Sequence, residues 1–233
     1  MVTYILLIKY GKININLFLF KEYNVMINNY KDFKKFITNL NKKPKLLLHS
    51  CCAPCSSHTL LLLKDYFEIT IFYTNDNIHP KTEYEKRLKE QIDFVTKIDS
   101  SINVIYDEYC SDDYFNSVKG LESLGEHSQR CYECYKFRLE KTAKKALELK
   151  YDYFSTTLSI SPYKNSNWIN EIGYELEKRF DVLYLLSDFK KEEGYKNSIK
   201  LSKEYDLYRQ DYCGCIYSYQ ERSYRLDGKT KEN

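Results

Sequence analysis

The chain has 233 residues, 43% of them apolar, and this length fits one ordinary globular domain with a buried core. The composition excludes a globally disordered chain, which would lack the apolar side chains that folding requires. The formal net charge of +3 is lower than that of a typical protein that coats DNA, although it allows an RNA partner at a local basic patch.

Two short apolar runs lie near the N-terminus, at 5–8 and 17–20. Neither reaches the roughly 20 apolar residues that span a bilayer, and no small-residue cleavage site follows. We therefore expect a cytoplasmic protein without a membrane anchor. Because Met26 opens a more typical start, residues 1–25 are interpreted as a possible extension, followed by one α/β domain over 26–225 and a polar, frayed tail over 226–233.

Strand and helix patterns alternate along this domain. Predicted strands are short apolar or β-branched runs at 45–50, 68–74, 102–106, 153–159 and 182–186. Predicted helices occupy 31–40, 56–66, 80–97, 114–124, 130–150, 166–179 and 194–205. The alternation predicts a doubly wound, mainly parallel α/β sheet with helices on both faces in three layers, followed by a C-terminal segment that bears cysteines.

The eight cysteines are the most informative feature, since seven of them form three tight groups. The groups are Cys51-Cys52-Ala53-Pro54-Cys55, Cys131-Tyr132-Glu133-Cys134 and Cys213-Gly214-Cys215. Such spacing is typical of metal ligands in a reducing compartment, and not of the disulfide framework of a secreted protein. The eighth, Cys110, lies outside the groups and is interpreted as a plain thiol.

Each group has a local setting that suits metal binding. The first follows a predicted strand and precedes a predicted helix, where sites form in open α/β sheets and where a helix N-terminus stabilises thiolates. The second places both cysteines on one helical face with Arg138, which suits an anionic cluster or a phosphate. In the third, Gly214 lets the backbone fold tightly about one metal.

Seven thiols exceed one tetrahedral site. A [4Fe–4S] cluster takes up to four thiolates, which leaves three for a further iron with an open coordination position. Two structural zinc ions in an RNA-binding module are an alternative, with Cys110 or a histidine as the eighth ligand. A second alternative is a thiol–disulfide oxidoreductase that uses Cys52 and Cys55, although it leaves the other two groups unexplained.

Five segments within residues 45–218 form a further pattern: LHSCCAPCS, NIHP with the following Glu83-Tyr84 and Arg87-Leu88, RCYECYKFRL, STTLSISPYKN and YRQDYCGCIYS. Together and in this order, they resemble the QueH family of cobalamin-independent epoxyqueuosine reductases. The resemblance implies an enzyme that reduces the epoxide of epoxyqueuosine to queuosine at the wobble position of transfer RNA. Asn75-Asp76 departs from the family's asparagine-proline, and we expect Asp76 to add a carboxylate near the site.

The resemblance also implies a [4Fe–4S] cluster beside a second iron, and an electron donor outside this chain. The expected ligands of the cluster are Cys51, Cys52, Cys131 and Cys134. The expected ligands of the iron, which would act as a Lewis acid on the epoxide oxygen, are Cys55, Cys213 and Cys215. A proton donor for the departing oxygen is expected at His79 or Tyr135.

Contacts to the RNA are expected in two places. A hydroxyl-rich segment after the fourth predicted strand suits a phosphate, or alternatively caps the following helix; it consists of Ser155, Thr156 and Thr157. Arg138 and Lys164 would add positive charge toward the RNA backbone. Tyr163 is a candidate for stacking on the target base, because enzymes that act on a base draw it out of its stack.

Overall fold

The sheet at the centre of the molecule has five parallel strands. The computed structural model describes residues 29–186 and 188–230, with side chains as far as residue 223, so the expected extension at 1–25 lies outside the described residues. The strands are β1 (Lys45–His49), β2 (Glu68–Tyr73), β3 (Asn103–Tyr106), β4 (Tyr153–Thr156) and β5 (Leu183–Tyr184). Their order is β3-β2-β1-β4-β5, and every pair is parallel.

Helices connect and cover these strands within the described residues. They are α1 (Tyr30–Thr38), α2 (Ala53–Leu63), α3 (Lys81–Ile98), α4 (Ser111–Ser117), α5 (Gln129–Glu148), α6 (Ser166–Phe180), α7 (Gly194–Glu204) and α8 (Ile216–Thr230). A short 3-10 turn, Thr157–Ile160, follows β4. In the part of the chain that the structure describes, no helix combines the length and the apolar character needed to cross a bilayer.

The side chains of β1 show why the fold has three layers. Leu46 and Leu48 point into a core that contains Phe33 of α1 and Phe94 of α3. Leu47 points to the opposite face, into a core with Leu139 of α5. Because successive side chains of a strand alternate between faces, a run of apolar residues is buried on both sides only when helices cover both faces. The prediction of a three-layer, doubly wound fold is confirmed.

The strand order also fixes where a site can form. β1 pairs with β2 on one side and with β4 on the other, so the chain winds outward from β1 in one direction and returns to continue in the other. Ligands in such sheets bind in the crevice at this switch point, outside the carboxyl ends of the strands. The segments that follow β1 and β4 therefore form the walls of the candidate site.

Several predicted boundaries differ from the structure. The strand predicted at 153–159 ends at Thr156, whose hydroxyl accepts a hydrogen bond from the Leu158 N–H at 3.1 Å and starts the 3-10 turn. The helix predicted at 114–124 covers Ser111–Ser117 instead, with Gly120 at a positive φ of 84° beyond it. The strand predicted at 182–186 keeps only two residues, and α8 runs as far as Thr230, into the segment expected to be frayed.

Candidate metal centre

The first cysteine group lies at the junction between β1 and α2. Cys52 is the N-cap residue of α2 and has an extended backbone, and Pro54 occupies the first turn. The Cys51 and Cys52 sulfurs are 3.8 Å apart, and these two and the Cys55 sulfur all lie within 4.8 Å of one another. Two sulfurs on one tetrahedral ion with bonds of about 2.3 Å would be about 3.8 Å apart. The triplet is therefore compact enough to bind one metal ion.

Thiol–thiol hydrogen bonds within this triplet lower the pKa of Cys51 well below its usual value, since the Cys52 and Cys55 thiols stabilise the Cys51 thiolate. The hydrogen bond to Cys51 also raises the pKa of Cys52, to about 12. The nearby cations of Arg138 and Lys164 lower the pKa of Cys51 further. The first group therefore stabilises a thiolate, which is the form of cysteine that binds soft metal ions.

The second group opens α5, and Cys134 packs in an apolar cluster with Tyr114, Val118 and Cys215 of the third group. Burial raises the pKa of both Cys134 and Cys215 to about 12. A buried thiol in apolar surroundings stays protonated until a metal replaces its proton. The second and third groups therefore meet in a setting that favours metal binding over free thiolates.

Backbone hydrogen bonds hold the third group against the loop after β2. The Gly214 carbonyl accepts from the His79 N–H at 2.8 Å, and the Tyr212 hydroxyl donates to the His79 carbonyl at 3.0 Å. Gly214 has a φ of 121°, in the region that favours glycine. The Ser218 N–H donates to the Cys215 sulfur at 3.4 Å. The third group is thereby fixed next to the loop after β2.

All three groups meet at one cavity of about 600 Å³ at the carboxyl edge of the sheet. Five cysteines line it, namely Cys51, Cys55, Cys131, Cys213 and Cys215. Cys52 and Cys134 lie behind this wall and are buried. Cysteine groups that are more than 150 residues apart in sequence at their extremes thus share one pocket. A buried set of soft thiolate donors fits iron–sulfur or zinc chemistry.

Two buried arginines flank the thiols. The Arg138 guanidinium is 2% exposed, donates to Asn75 Oδ1 at 2.5 Å and contacts the Cys134 thiol. Arg87 is 1% exposed and donates from Nε to Glu83 at 2.7 Å, while its Nη1 and Nη2 have no hydrogen-bond partner among the described residues. Burial lowers the pKa of Arg87, but the neighbouring Cys52 and Glu83 outweigh this and raise it. Buried cations of this kind require anions nearby, which a metal–thiolate centre would supply.

Three further residues that the sequence predicts lie at the cavity. Tyr135 and Lys164 line it, and Tyr163, with 70% of its side chain exposed, lies at its rim. Burial lowers the pKa of Lys164, but Cys213, Cys51 and Cys55 outweigh this and raise it. Lys164 is therefore a cation held next to the thiols.

The expected phosphate contact through the hydroxyl-rich segment is not what the structure shows. Ser155, Thr156 and Thr157 have no exposed surface. The Ser155 hydroxyl donates to the Leu185 carbonyl at 2.8 Å, and the Thr156 hydroxyl lies 2.8 Å from His49 Nδ1. The Ser155 and Thr156 hydroxyls are thus engaged within the fold, and burial keeps a phosphate from all three side chains.

Two other expectations also need correction. His79 does not line the cavity, and its hydrogen bonds to the third cysteine group come from its backbone. Asp76 does not line the cavity, and its carboxylate pairs with Lys141 at 2.7 Å and accepts from the Cys110 N–H at 3.0 Å. Of the two candidate proton donors, the structure brings only Tyr135 to the cavity wall.

Sequence reasoning missed two residues that lie near the thiols. Gln210 donates from Nε2 to the Cys52 sulfur at 3.1 Å. Arg87 is close enough to the same cysteine for the two to interact electrostatically. The signal for Arg87 was its position one helical turn after Glu83, which marks an ion pair. The signal for Gln210 was its place in the segment that contains Cys213. Neither signal predicts which cysteine group the side chain faces.

The sequence is similar to a family of known enzymes. The family model described as "Epoxyqueuosine reductase QueH" matches residues 46–221. The epoxyqueuosine reductase QueH of Streptococcus pyogenes is 44% identical over 180 residues, which cover 76% of this chain and 71% of the relative. The protein of that name from Staphylococcus epidermidis is 43% identical over 215 residues, which cover 88% of this chain and 90% of the relative. The one from Thermotoga maritima is 41% identical over 180 residues, which cover 76% of this chain and 91% of the relative. The chain therefore belongs to the QueH family of epoxyqueuosine reductases.

Proposed function

We propose that this protein reduces epoxyqueuosine to queuosine in transfer RNA, using a [4Fe–4S] cluster and an adjacent iron held by its seven grouped cysteines. The observation that carries the proposal is the convergence of three cysteine groups on one cavity that also contains Lys164 and Tyr135. Removal of an epoxide oxygen as water takes two electrons and two protons and leaves an alkene. The electrons come from a donor outside this chain, as in other reductases that relay them through a cluster.

The division of ligands between cluster and iron is a further part of the proposal. The division predicted from the sequence gives Cys55, Cys213 and Cys215 to the iron, and the spacing of the triplet supports a second division with the iron on Cys51, Cys52 and Cys55. In both divisions Cys55 binds the iron and Cys131 and Cys134 bind the cluster. The two divisions differ at Cys213, which allows a direct test.

The protein's own side chains would orient and protonate the substrate. A bound cluster and iron would supply electrons and a Lewis acid for the epoxide oxygen. Lys164 places a positive charge where the departing oxygen becomes negative, and Tyr135 offers a hydroxyl proton from the same wall. The buried guanidinium groups of Arg87 and Arg138 would balance the negative charge of the thiolates.

The structure argues against thiol–disulfide exchange by Cys52 and Cys55. Exchange requires an accessible thiolate with a low pKa. Cys52 is fully buried, and its pKa is raised to about 12. Metal analysis of anaerobically purified protein separates the remaining alternative, because a zinc-stabilised binding module would contain zinc without acid-labile sulfide.

The decisive experiment incubates the reduced, anaerobically prepared protein with transfer RNA that contains epoxyqueuosine. The RNA is then digested to nucleosides, and their masses are measured by mass spectrometry. We expect the modified nucleoside to lose one oxygen atom with the wild-type protein and not with Cys134→Ser, whereas Cys110→Ser, outside the groups, serves as the matched control. An unchanged nucleoside mass despite an intact and reducible cluster would falsify the proposed activity.

A further inference from the structure

A second cavity, of about 440 Å³, adjoins the one lined by the cysteines. The two cavities share His127, Tyr135, Tyr163 and Lys164. Pro162, Asn165 and Trp168 line the second cavity alone. Its volume falls in the range of about 300–1,000 Å³ typical of small-ligand sites. The cysteine cavity is thus one half of a two-part depression.

Aromatic rings dominate the walls of the second cavity. Trp168, the single tryptophan of the chain, is half-buried near the start of α6. Its ring meets Tyr132 edge-on, with centroids 5.7 Å apart and planes at 81°, and this contact holds the indole in place. Tyr163 stands at the border between the cavities and is largely exposed. Fixed and accessible rings are the surfaces on which single-stranded nucleic acids stack their bases.

The charge at the border fits the link between two nucleotides. Lys164 lines both cavities, so its side chain lies at their border. If one nucleotide occupies the cysteine cavity and the base of its neighbour occupies the second cavity, the phosphodiester between them crosses this border. A cation between two subsites of this kind is suited to contact the phosphate that links two adjacent nucleotides.

We propose that the second cavity binds the base of a nucleotide next to epoxyqueuosine in the RNA, stacked on Trp168 and Tyr163, with the linking phosphate at Lys164. The inference rests on the proposed function and adds to it a subsite that reads the RNA context of the modified base. A free nucleoside fills only the cysteine cavity, so the enzyme gains affinity from the neighbouring nucleotide in RNA.

The test couples a change in the protein to a change in the RNA. Dissociation constants are measured for an anticodon stem-loop with epoxyqueuosine, and for the same RNA with an abasic nucleotide on the 5′ or the 3′ side of it. Loss of one stacked base is expected to weaken binding to the wild-type protein by about tenfold for one of the two abasic RNAs. Trp168→Ala is expected to weaken binding of the intact RNA equally and to abolish this difference.

Trp168→Phe keeps a ring and is expected to retain most of the affinity, while Tyr106→Ala removes an exposed tyrosine outside both cavities and is the matched control. Quenching of Trp168 fluorescence by the intact RNA, and less by the abasic one, gives a second measurement. If Trp168→Ala and each abasic change weakened binding independently, so that their effects on the dissociation constant multiplied, the proposed subsite would be wrong. The proposed reductase activity would not be affected by that result. Absence of turnover by the wild-type protein would instead overturn the proposed function.

Discussion

Arg87 packs against Gly214, since a Cβ atom added to Gly214 would be 3.1 Å from Arg87 Nη1. Gly214 separates two cysteines of the third group, and Arg87 belongs to α3. This packing links the position of the C-terminal cysteines to a buried cation. A side chain at position 214 would press on that cation.

Gly214→Ala is expected to disturb metal binding. A φ of 121° disfavours any side chain, and the added methyl group presses on the Arg87 guanidinium and on Ile78. We expect a loss of about 1–3 kcal/mol of stability and a lower iron content, measured by thermal unfolding and metal analysis. Gly125→Ala is the control, because nothing lies within 4 Å of the added atom there. Equal iron content in both variants would show that the backbone at Gly214 tolerates a side chain.

Replacement of Arg87 by methionine is expected to make the cluster harder to reduce. The buried Arg87 guanidinium interacts electrostatically with Cys52, so removal of its charge destabilises the form of the centre that has gained an electron. The midpoint potential, followed by electron paramagnetic resonance during a redox titration, should move to more negative values.

Arg87→Lys should restore part of the potential, and Arg179→Met, at an exposed arginine, should not change it. An unaltered potential in Arg87→Met with full iron content would contradict the role of Arg87.

Serine variants of the cysteines test how the ligands are divided. Cys55→Ser is expected to lose the single iron and to keep the spectrum of a [4Fe–4S] cluster, whereas Cys134→Ser loses the cluster. Cys213→Ser decides between the two divisions: it loses only the iron in the division predicted from the sequence, and it loses the cluster if the compact triplet holds the iron. Loss of the cluster in Cys55→Ser would refute both divisions.

Gln210→Leu is expected to weaken metal binding without unfolding the protein. Its amide donates to the Cys52 sulfur at 3.1 Å, and loss of such an outer contact typically costs about 10- to 100-fold in metal affinity. Competition with a chelator measures this change. Gln129→Leu removes an exposed glutamine that bonds only to Glu133 among the described residues, and it should behave like the wild-type protein. Equal chelator resistance of the two variants would rule out the contribution of Gln210.

Much of the secondary structure could be predicted because its causes are local. The apolar run of β1 and the spacing of Cys131 and Cys134 on α5 depend on side chains within a few residues, and the structure has both where they were expected. The prediction of a phosphate contact at Ser155 was wrong. A hydroxyl-rich segment also occurs in a buried strand, where the Ser155 hydroxyl donates to a backbone carbonyl of the adjacent segment. Composition cannot distinguish these two environments.

The sequence by itself determined the alternation of strands and helices, the three cysteine groups and the family to which they belong. Only the tertiary structure decided that all three cysteine groups reach one cavity, that Arg87 and Arg138 are buried near the thiols, and that His79 contacts the third group through its backbone. The physical reason is that local patterns follow from neighbouring residues. Distances between groups instead follow from the pairing of β1 with β4 and from the docking of the C-terminal segment on the loop after β2, which no short stretch of sequence encodes.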